Sequence, residues 1–570
     1  MGYRNFEVAI YCPVGNLNAI GDLSAFEKSF AFLERHIHIG KVYLETHRSN
    51  EYISRERILE LKAFFEKRGI KTSGGITTSR EYRERDLGFP SLCYTQPLHR
   101  ERIKAVVEMT AAIFDEIILD DFFFTNCKCE SCIAAKGEKS WAEFRTELMR
   151  EVSENLIVGP AKRVNPNVKM IIKYPNWYEC YQETGYNPKD QPAIFDGIYT
   201  GTETRDPLYT LQHLPKYLSY FLMRYLENVM PGRNGGGWFD IYDCGGNVNY
   251  YAQQAYGTLL GKAKEVTLYC LGSLLGKKGR IFVPSAGYAF EAMDDFAGDL
   301  GNPVGTACYL PHHANGEDYL HNYLGMLGIP LEPYPEYPVD SRRILLTESA
   351  AADAGIIVKI QNSLLNGADV MVTSGFVKVL QDKGFDRLAH IRWTDRKVQV
   401  SRYAFSPKAY NMENTVCADQ AVLLPVMGYA TNDTWQLAGG LGEDSAVPVL
   451  QAHDIGKGRL YILTIPDDFG DLYHYPKELL AAIRDSLRDH SPVQMDAPAK
   501  IGLFTYDNDT FVVESFLPYN TTVGITIDRP DAVLAGLPAG RSQQGVPLHG
   551  QTMFTVAIQA SEYLAFKISK

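Results

Sequence analysis

The chain has 570 residues, of which 45% are hydrophobic and 22% are charged. These are globular values, so the composition excludes a disordered chain and a fibrous repeat. Lys and Arg number 57 against 68 Asp and Glu, which gives a formal net charge of −11. No basic run interrupts this balance, which argues against nucleic acid as a partner.

No apolar stretch approaches the roughly 20 residues that a membrane-spanning helix needs. We therefore expect a soluble protein without a membrane span. Its compartment stays open: the cytoplasm, or the periplasm or exterior if an export leader has been removed.

From Phe6 to about Gly272, short β-branched or aromatic runs alternate with longer segments of helical period. This pattern is typical of parallel strands joined by crossover helices. The clearest helix is Ser54–Lys67, with Ser54 as N-cap and Gly69 just beyond its end. Eight strand–helix units favour a TIM (β/α)8 barrel over the alternative, an open doubly wound sheet. The predicted strands are Val8–Tyr11, Val42–Glu45, Lys71–Gly74, Ile117–Asp120, Lys169–Ile172, Gly197–Thr200, Gly237–Asp240 and Val266–Tyr269.

Two smaller domains are predicted after the barrel. Residues 304–491 alternate strands and helices and include a hairpin turn at Gly456–Gly458, which indicates a flavodoxin-like or amidotransferase-like α/β domain. Residues 492–570 read as short strands and turns, which predicts a small C-terminal β-sandwich. We therefore expect the barrel to occupy residues 1–303.

Function in a TIM barrel lies in the loops after the carboxyl ends of its strands. Acids gather there: strand four ends in Asp120 and Asp121, strand six runs into Glu203, and strand seven ends in Asp240 and Asp243. An acid that is flanked by apolar residues and by a second acid stays protonated near neutral pH, as general acid catalysis requires. The strand ends therefore predict carboxylate acid/base chemistry.

Polar and aromatic side chains beside these acids are suited to a sugar. Flat rings stack on the apolar faces of sugar rings, while charged groups bind the hydroxyls. The predicted substrate-binding residues are Glu45, His47, Arg48, Lys173, Tyr174, Trp177, Tyr199, Arg205, Trp238 and Asp243.

Two sets of carboxylates compete for the catalytic roles. Asp121, beside Asp120 and a run of Phe residues, is the better protonated acid. Glu203 is the only Glu in the strand-six loop, and the neighbouring Arg205 favours its ionised form, as a nucleophile or base requires. Asp120 or Asp121 paired with Glu203 is the first choice, and the strand-seven aspartates are the second.

Three cysteines follow strand four. Cys127, Cys129 and Cys132 have thiolate spacing suited to a tetrahedral zinc site but supply only three ligands, and free thiols are the alternative. Together with the two acids before it and the helix with Phe144 and Arg145 after it, this segment resembles the region around the acid/base residue of the family 42 β-galactosidases.

The resemblance implies a structural zinc whose fourth ligand comes from the loop after strand three, where this chain has Cys93. It implies a homo-oligomer, a trimer or dimer, formed through the middle domain. Asp121 matches the family's acid/base position, and Asp240 or Asp243 is nearest its nucleophile position. The family carries Asn-Glu where this chain has Asp120–Asp121, and a Glu after strand seven that this chain lacks. The resemblance thus indicates a distant relative with altered catalytic carboxylates.

Taken together, these features predict a glycoside hydrolase that acts on a terminal sugar of an oligo- or polysaccharide, with a structural zinc and no organic cofactor. The alternative is a non-catalytic carbohydrate-binding barrel, whose acids only accept hydrogen bonds. Glutamine hydrolysis in the middle domain is disfavoured because Cys308 lies within a strand and Cys417 lacks a Gly-flanked turn. A metal-dependent hydrolase needs paired His residues at the strand ends, where His47 is nearly alone.

Overall fold

The computed structural model describes residues 2–84, 88–210, 212–405, 414–442, 446–489, 491–540 and 542–569. The chain divides into two compact units, one made of Met1–Asp206 and Leu218–Ala297, the other of Pro207–Tyr217 and Gly298–Lys570. The second unit therefore includes a short segment that follows the sixth barrel strand in the chain. No helix of the described residues is long and apolar enough to cross a membrane.

Eight parallel strands of the first unit close into a TIM barrel, which confirms the predicted fold class. Each strand pairs with the next along the chain, and the last pairs with the first, with Val8 opposite Val266. A two-residue strand, Glu51–Tyr52, extends the second strand as an antiparallel hairpin. The barrel strands are β1 (Glu7–Cys12), β2 (Lys41–Arg48), β3 (Lys71–Ile76), β4 (Glu116–Leu119), β5 (Lys169–Tyr174), β6 (Gly197–Gly201), β7 (Asn234–Asp240) and β8 (Glu265–Tyr269).

Helices connect these strands. The predicted helix at Ser54 is confirmed: it spans Arg55–Glu66, the Ser54 side chain accepts a hydrogen bond from the Arg57 N–H, and Gly69 beyond the end has φ +73°. The other helices of this unit are Val14–Ala19, Leu23–Glu34, Pro97–Ala111, Glu130–Lys136, Trp141–Val152, Ser153–Val158, Gly159–Val164, Tyr178–Cys180, Tyr181–Thr184, Gln191–Ile194, Leu218–Val229, Val248–Leu260, Leu271–Leu275 and Phe282–Asp294.

A buried set of charges joins the amino ends of the barrel strands. Lys41 Nζ lies 2.8 Å from a Glu116 oxygen and 2.5 Å from a Glu265 oxygen. The hydroxyls of Tyr43 and Tyr199 donate to Glu265 Oε1 over 2.6 and 3.0 Å. We call Lys41, Glu116 and Glu265 the amino-end network. It lies at the end of the barrel opposite to the loops that carry function in this fold.

The second unit begins with a flavodoxin-like sheet. Its five parallel strands follow the order 2-1-3-4-5, which is one of the two common doubly wound orders. In spatial order they are Leu331–Tyr334, Thr306–Tyr309, Arg343–Leu346, Asp369–Thr373 and Gly458–Leu463. Its helices are Leu320–Gly325, Glu348–Ala352, Ile356–Asn366, Ser374–Leu380, Phe385–Arg387, Phe469–His474 and Lys477–Leu487.

Four antiparallel strands continue this sheet beyond Gly458–Leu463, and two of them form a long pair that the sequence analysis did not anticipate. Ile391–Phe405 pairs with Asn414–Tyr429, and its register shifts twice along the pair. Irregular pairing of this kind breaks the clean two-residue alternation by which a strand is recognised in a sequence. The four added strands are Ala446–Ile455, Trp435–Leu441, Ile391–Phe405 and Asn414–Tyr429.

The C-terminal strands form the predicted β-sandwich. A six-stranded and a four-stranded sheet enclose one apolar core, to which Leu503 and Phe511 contribute from one sheet and Ile525 and Phe554 from the other. Burial alternates along Thr521–Ile527, as expected of a strand with one face on a core. The strands are Pro303–Val304, Val493–Asp496, Ile501–Tyr506, Thr510–Ser515, Thr521–Ile527, Val533–Leu537, Ser542–Gln544, Val546–Leu548, Gln551–Ile558 and Tyr563–Ser569.

Candidate active site

Glu45, at the end of β2, is fully buried and bonded on both oxygens. Its Oε1 accepts from the Tyr11 hydroxyl over 2.7 Å, and its Oε2 accepts from the Val14 N–H over 2.7 Å. Arg48 Nε lies 3.1 Å from each oxygen, and the Thr77 hydroxyl also donates to Oε1. Strands β1, β2 and β3 thus meet at this carboxylate, which fixes the position of the Arg48 guanidinium.

Asp120, the first acid after β4, is held in the same way. Its Oδ2 accepts from Arg48 over 2.6 Å, and its Oδ1 accepts from the Asp121 N–H over 2.8 Å. The Thr77 hydroxyl lies 3.1 Å from Oδ2 and shares its single proton between Asp120 and Glu45. Burial alone would raise the pKa of this carboxyl, but Arg48 and then Lys173 outweigh it and hold the pKa below its usual range. Asp120 is therefore an ionised group that anchors its neighbours.

Lys173, on β5, joins the second acid of β4 to the acid of the β6 loop. Its Nζ donates to Asp121 Oδ2 over 2.6 Å and to Glu203 Oε1 over 2.9 Å. The side chain of Lys173 is 1% exposed, that of Glu203 is 6% exposed and that of Asp121 is 19% exposed. We call Asp121, Lys173 and Glu203 the carboxyl-end network. Asp121 is its most accessible member.

The environment of Asp121 favours its protonated form. Burial raises its pKa, and the negative charges of Asp120 and Glu203 raise it further. Lys173 opposes this shift, and the pKa settles at about 7. Asp121 therefore exchanges a proton near neutral pH, which is what a general acid and base needs.

Glu203 is tightly packed yet incompletely bonded. Its Oε2 is buried and has no hydrogen-bond donor among the residues that the structure describes. A Cβ at Gly201 would lie 2.7 Å from that oxygen and 3.0 Å from the Asn176 nitrogen, so a side chain at this position would crowd the carboxylate. The Asn176 side chain donates to the Glu203 carbonyl over 3.0 Å, which holds this loop in place. A buried acceptor without a donor is costly and is found at functional sites.

Asp240, at the end of β7, forms a separate ion pair. Its Oδ2 accepts from Arg205 over 2.8 Å, and its Oδ1 accepts from the Tyr242 N–H over 2.9 Å. Arg205 also lies 3.2 Å from Asp243, which is 52% exposed. Burial raises the pKa of Asp240 to about 6, against the opposing effect of Arg205. The sequence predicted Arg205 as the cation beside Glu203. In the structure Lys173 pairs with Glu203, and Arg205 pairs with Asp240 and Asp243.

Three of the predicted substrate-binding residues lie apart from this cluster of acids. Burial lowers the pKa of His47 to about 4, and its ring is held between the Thr77 carbonyl and Arg102. Tyr174 is fully buried, with its hydroxyl near Asn187 and Gln191. The Tyr199 hydroxyl bonds to Glu265 in the amino-end network. The structure does not bring these side chains together with Glu203.

Of the two predicted tryptophans, Trp238 lies beside Lys173 and Trp177 lies against Phe89. Trp238 is 1% exposed, and the Lys173 ammonium lies 4.4 Å from the centre of its ring. Trp177 is half-buried behind Phe89, whose ring stacks on it with centroids 6.3 Å apart. Phe89 also contacts Phe122 edge-on, with centroids 5.3 Å apart. We call Phe89, Phe122 and Trp177 the aromatic wall.

Some residues of the site were not predicted from the sequence. Tyr11 and Thr77 bind the buried acids, and Gln254 links the Thr204 N–H to the Asp240 carbonyl. Tyr11 and Thr77 do carry a signal, because they lie at or next to the ends of β1 and β3. Phe89 lies in a long loop, where nothing in the local pattern marks it.

The four cysteines form one cluster. The sulfur atoms of Cys93, Cys127, Cys129 and Cys132 all lie within 4.8 Å of one another. Cys93 is 3.6 Å from Cys129 and 3.5 Å from Cys132, and the last two are 3.7 Å apart. Sulfurs bound to one tetrahedral zinc at ~2.3 Å would be roughly 3.8 Å apart. This donor set could therefore hold a metal ion.

Comparison with known families gives matches along most of the chain. A family model described as a probable glycosyl hydrolase, catalytic domain, matches residues 1–297, and one described as a probable glycosyl hydrolase, C-terminal domain, matches residues 492–568. Residues 301–468 match the second domain of the uncharacterized protein SSO3021. That protein, from Saccharolobus solfataricus, is 28% identical over 415 residues, which are 66% of this chain and 67% of the relative.

Solved structures share the whole architecture. Alpha-L-fucosidase isoenzyme 2 from Paenibacillus thiaminolyticus is similar over 100% of both chains, with 11% identity and a TM-score of 0.68. A catalytic mutant of Gan42B, a GH42 beta-galactosidase from G. stearothermophilus, is similar over 99% of both chains, with 11% identity and a TM-score of 0.63. At these identities the likeness shows the fold alone.

Proposed function

Because the chain belongs to the family of probable glycosyl hydrolase catalytic domains, we propose that it hydrolyses the glycosidic bond of a terminal sugar in an oligo- or polysaccharide. The observation that supports this proposal is the carboxyl-end network. There the buried Lys173 ammonium bonds to Asp121, whose pKa is about 7, and to the Glu203 carboxylate. The catalytic groups are nearly buried, which suits a site that admits only the end of a sugar chain.

In the proposed mechanism Asp121 is the general acid and Glu203 is the nucleophile. Asp121 gives its proton to the leaving oxygen while the Glu203 carboxylate bonds to the anomeric carbon. The ionised Asp121 then takes a proton from water, and that water displaces Glu203 and releases the sugar. Lys173 stays protonated throughout, because Asp121 and then Glu203 raise its pKa against the effect of burial.

The distances favour a retaining reaction. Because Lys173 Nζ is 2.6 Å from Asp121 Oδ2 and 2.9 Å from Glu203 Oε1, those two oxygens are at most about 5.5 Å apart. Carboxyl groups about 5–5.5 Å apart are typical of retaining enzymes, while inverting enzymes leave roughly 6.5–9.5 Å for a water. The second choice for the nucleophile is Asp240, which Arg205 and the Tyr242 N–H already bind.

A substrate screen tests the proposal. Purified protein is incubated with a panel of 4-nitrophenyl glycosides and with plant and host oligosaccharides, and released nitrophenol and sugars are measured. We expect turnover of at least one α- or β-glycoside of a neutral sugar. Saturable sugar binding without turnover would instead support the non-catalytic carbohydrate-binding protein, and turnover of an unrelated ester or amide would contradict both.

For the cysteine cluster we propose a structural zinc bound by Cys93, Cys127, Cys129 and Cys132. Four thiolates close the tetrahedron, so the ion would pin the loops after β3 and β4 without joining the chemistry. Metal analysis of protein purified without added zinc should give about one equivalent, and Cys129→Ser should lower both the zinc content and the melting temperature. A metal-free protein with an unchanged melting temperature would contradict the proposal. The homo-oligomer expected through the middle domain stays a prediction, which sedimentation analysis would test.

A further inference from the structure

Phe89 is an exposed apolar ring in a well-built position. Its side chain is 54% exposed, yet its ring stacks on Trp177 at an interplanar angle of 27° and meets Phe122 at 89°. Phe124 also contacts this group, edge-on to Trp177. The rings of the aromatic wall therefore support one another, while part of the Phe89 ring stays exposed to solvent.

The backbone around Phe89 is held by hydrogen bonds. The Phe89 carbonyl accepts from the Asn126 side chain over 3.1 Å and from the Ser91 N–H over 2.9 Å. The Pro90 carbonyl accepts from the Arg80 N–H over 2.8 Å. Holding a ring in one position costs conformational entropy, and an exposed ring offsets little of that cost because it buries little apolar surface. A ring fixed in this way is preorganised to stack on a ligand.

The aromatic wall adjoins the proposed acid. Phe122 follows Asp121 directly in the chain, and its carbonyl accepts from the Thr78 hydroxyl over 2.6 Å. The Arg48 guanidinium, which binds Asp120, lies 5.4 Å from the centre of the Phe122 ring.

The position of the proposed acid distinguishes the two parts of a glycoside. A general acid protonates the oxygen of the leaving group, so the leaving group lies on the side of Asp121. We propose that the aromatic wall is the subsite for the leaving group, and that it binds a leaving group with a flat apolar face, either a second sugar ring or a phenolic ring. This inference rests on the proposed glycosidase function.

Phe89→Ala tests the proposal on three substrates that share one terminal sugar: its methyl glycoside, its 4-nitrophenyl glycoside and a disaccharide. Loss of one aromatic contact should lower kcat/KM about tenfold for a ring-bearing leaving group, and less than about twofold for the methyl glycoside. Phe89→Tyr, which keeps the ring, should restore the activity. Tyr288→Ala, which removes a ring that is 69% exposed on the helix Phe282–Asp294, is the matched control and should change none of the three.

Each pattern of results either supports the proposed subsite or contradicts it. A loss for both ring-bearing substrates identifies any flat ring as the ligand, a loss for the nitrophenyl glycoside alone identifies a phenolic ring, and a loss for the disaccharide alone identifies a second sugar ring. Equal losses for all three substrates would place the terminal sugar on the wall and overturn the proposal, as would no loss for any.

A binding measurement tests the aromatic wall independently of whether the protein hydrolyses glycosides. Phenyl and methyl thioglycosides of the same sugar are titrated calorimetrically into wild type and Phe89→Ala. We expect the variant to bind the phenyl thioglycoside about tenfold more weakly and the methyl thioglycoside equally well. If wild type hydrolyses no glycoside but shows this difference, the wall binds rings and the proposed function fails. If the two proteins bind both compounds alike, or neither binds, the wall is not a subsite.

Discussion

The two ends of the barrel are built from the same groups, a buried lysine between two carboxylates. At the amino end Lys41 lies 2.8 Å from Glu116 and 2.5 Å from Glu265, and at the carboxyl end Lys173 lies 2.6 Å from Asp121 and 2.9 Å from Glu203. All four ion pairs are short and largely buried. Residue type and distance alone therefore do not separate a structural network from a catalytic one.

The difference lies in how the remaining hydrogen bonds are satisfied. At the amino end Tyr43 and Tyr199 donate to Glu265, and the Ser73 hydroxyl donates to Glu116 over 2.9 Å. Burial would raise the pKa of Glu116, but Lys41 outweighs it and lowers the pKa. At the carboxyl end Glu203 Oε2 has no donor among the described residues, and the pKa of Asp121 is raised to about 7. A satisfied network stabilises a fold, and an unsatisfied one with a shifted proton affinity is suited to chemistry.

The largest effect should come from Glu203→Gln. Without the proposed nucleophile we expect kcat to fall on the order of 10⁴-fold. The melting temperature should change little, because the Gln oxygen can still accept from Lys173 while its amide nitrogen takes the place of Oε2, which has no donor among the described residues. In Glu203→Ala, azide should fill the vacated space and restore turnover as a glycosyl azide. Glu265→Gln is the matched change at the amino end and should lower the melting temperature but leave the kcat of the folded protein unchanged.

An opposite outcome would redirect the assignment. If Glu203→Gln keeps near-normal turnover while Asp240→Asn is inactive, the nucleophile lies on β7, and the catalytic ion pair is that of Asp240 and Arg205.

Asp121→Asn should show the next largest effect, because it removes the proton donor. A general acid contributes roughly 10²–10⁴-fold, so kcat/KM should fall by that factor for a methyl glycoside, whose leaving group needs a proton. The loss should be much smaller for a 4-nitrophenyl glycoside, whose leaving group departs as an anion. Equal losses for both substrates would show that Asp121 has another role.

Lys41→Met tests the amino end. Removing one partner of a buried ion pair leaves uncompensated charge, so we expect the free energy of unfolding to fall by about 3–5 kcal/mol. Lys71→Met is the control, because Lys71 pairs with Glu7 but is 69% exposed, and denaturant titration should show almost no change. The folded Lys41→Met protein should keep wild-type kcat. A selective loss of activity would mean that the amino-end network also serves catalysis.

The smallest effect is the pH dependence. In the proposed mechanism Asp121 must be protonated, and its pKa is about 7, so kcat/KM for a methyl glycoside should be highest below pH 7. Above it, the rate should fall about tenfold per pH unit, since the protonated fraction falls by that factor. In Asp121→Asn this alkaline decline should be absent. A decline that persists in the variant would assign the titration to another group.

The contacts of the site depend on groups that are distant in the chain. Asp120, Asp121, Glu203 and Asp240 could be placed at strand ends from the local pattern, because strand, turn and acid follow each other directly. Their partners could not, since Lys173 reaches Asp121 across 52 positions and Arg48 reaches Asp120 across 72. Proximity in sequence even misleads, as Arg205 lies two positions from Glu203 but bonds to Asp240.

The sequence by itself determined the elements of the barrel and their order. Alternation of apolar runs with amphipathic segments marked all eight barrel strands, and Ser54 and Gly69 marked the ends of a helix, because burial and capping act over a few residues. Only the tertiary structure decided which carboxylates are satisfied and which are not. Closure of the barrel sets the height and direction of each side chain, so Tyr199 bonds to Glu265 at the amino end, while Phe89, from a long loop, stacks on Trp177.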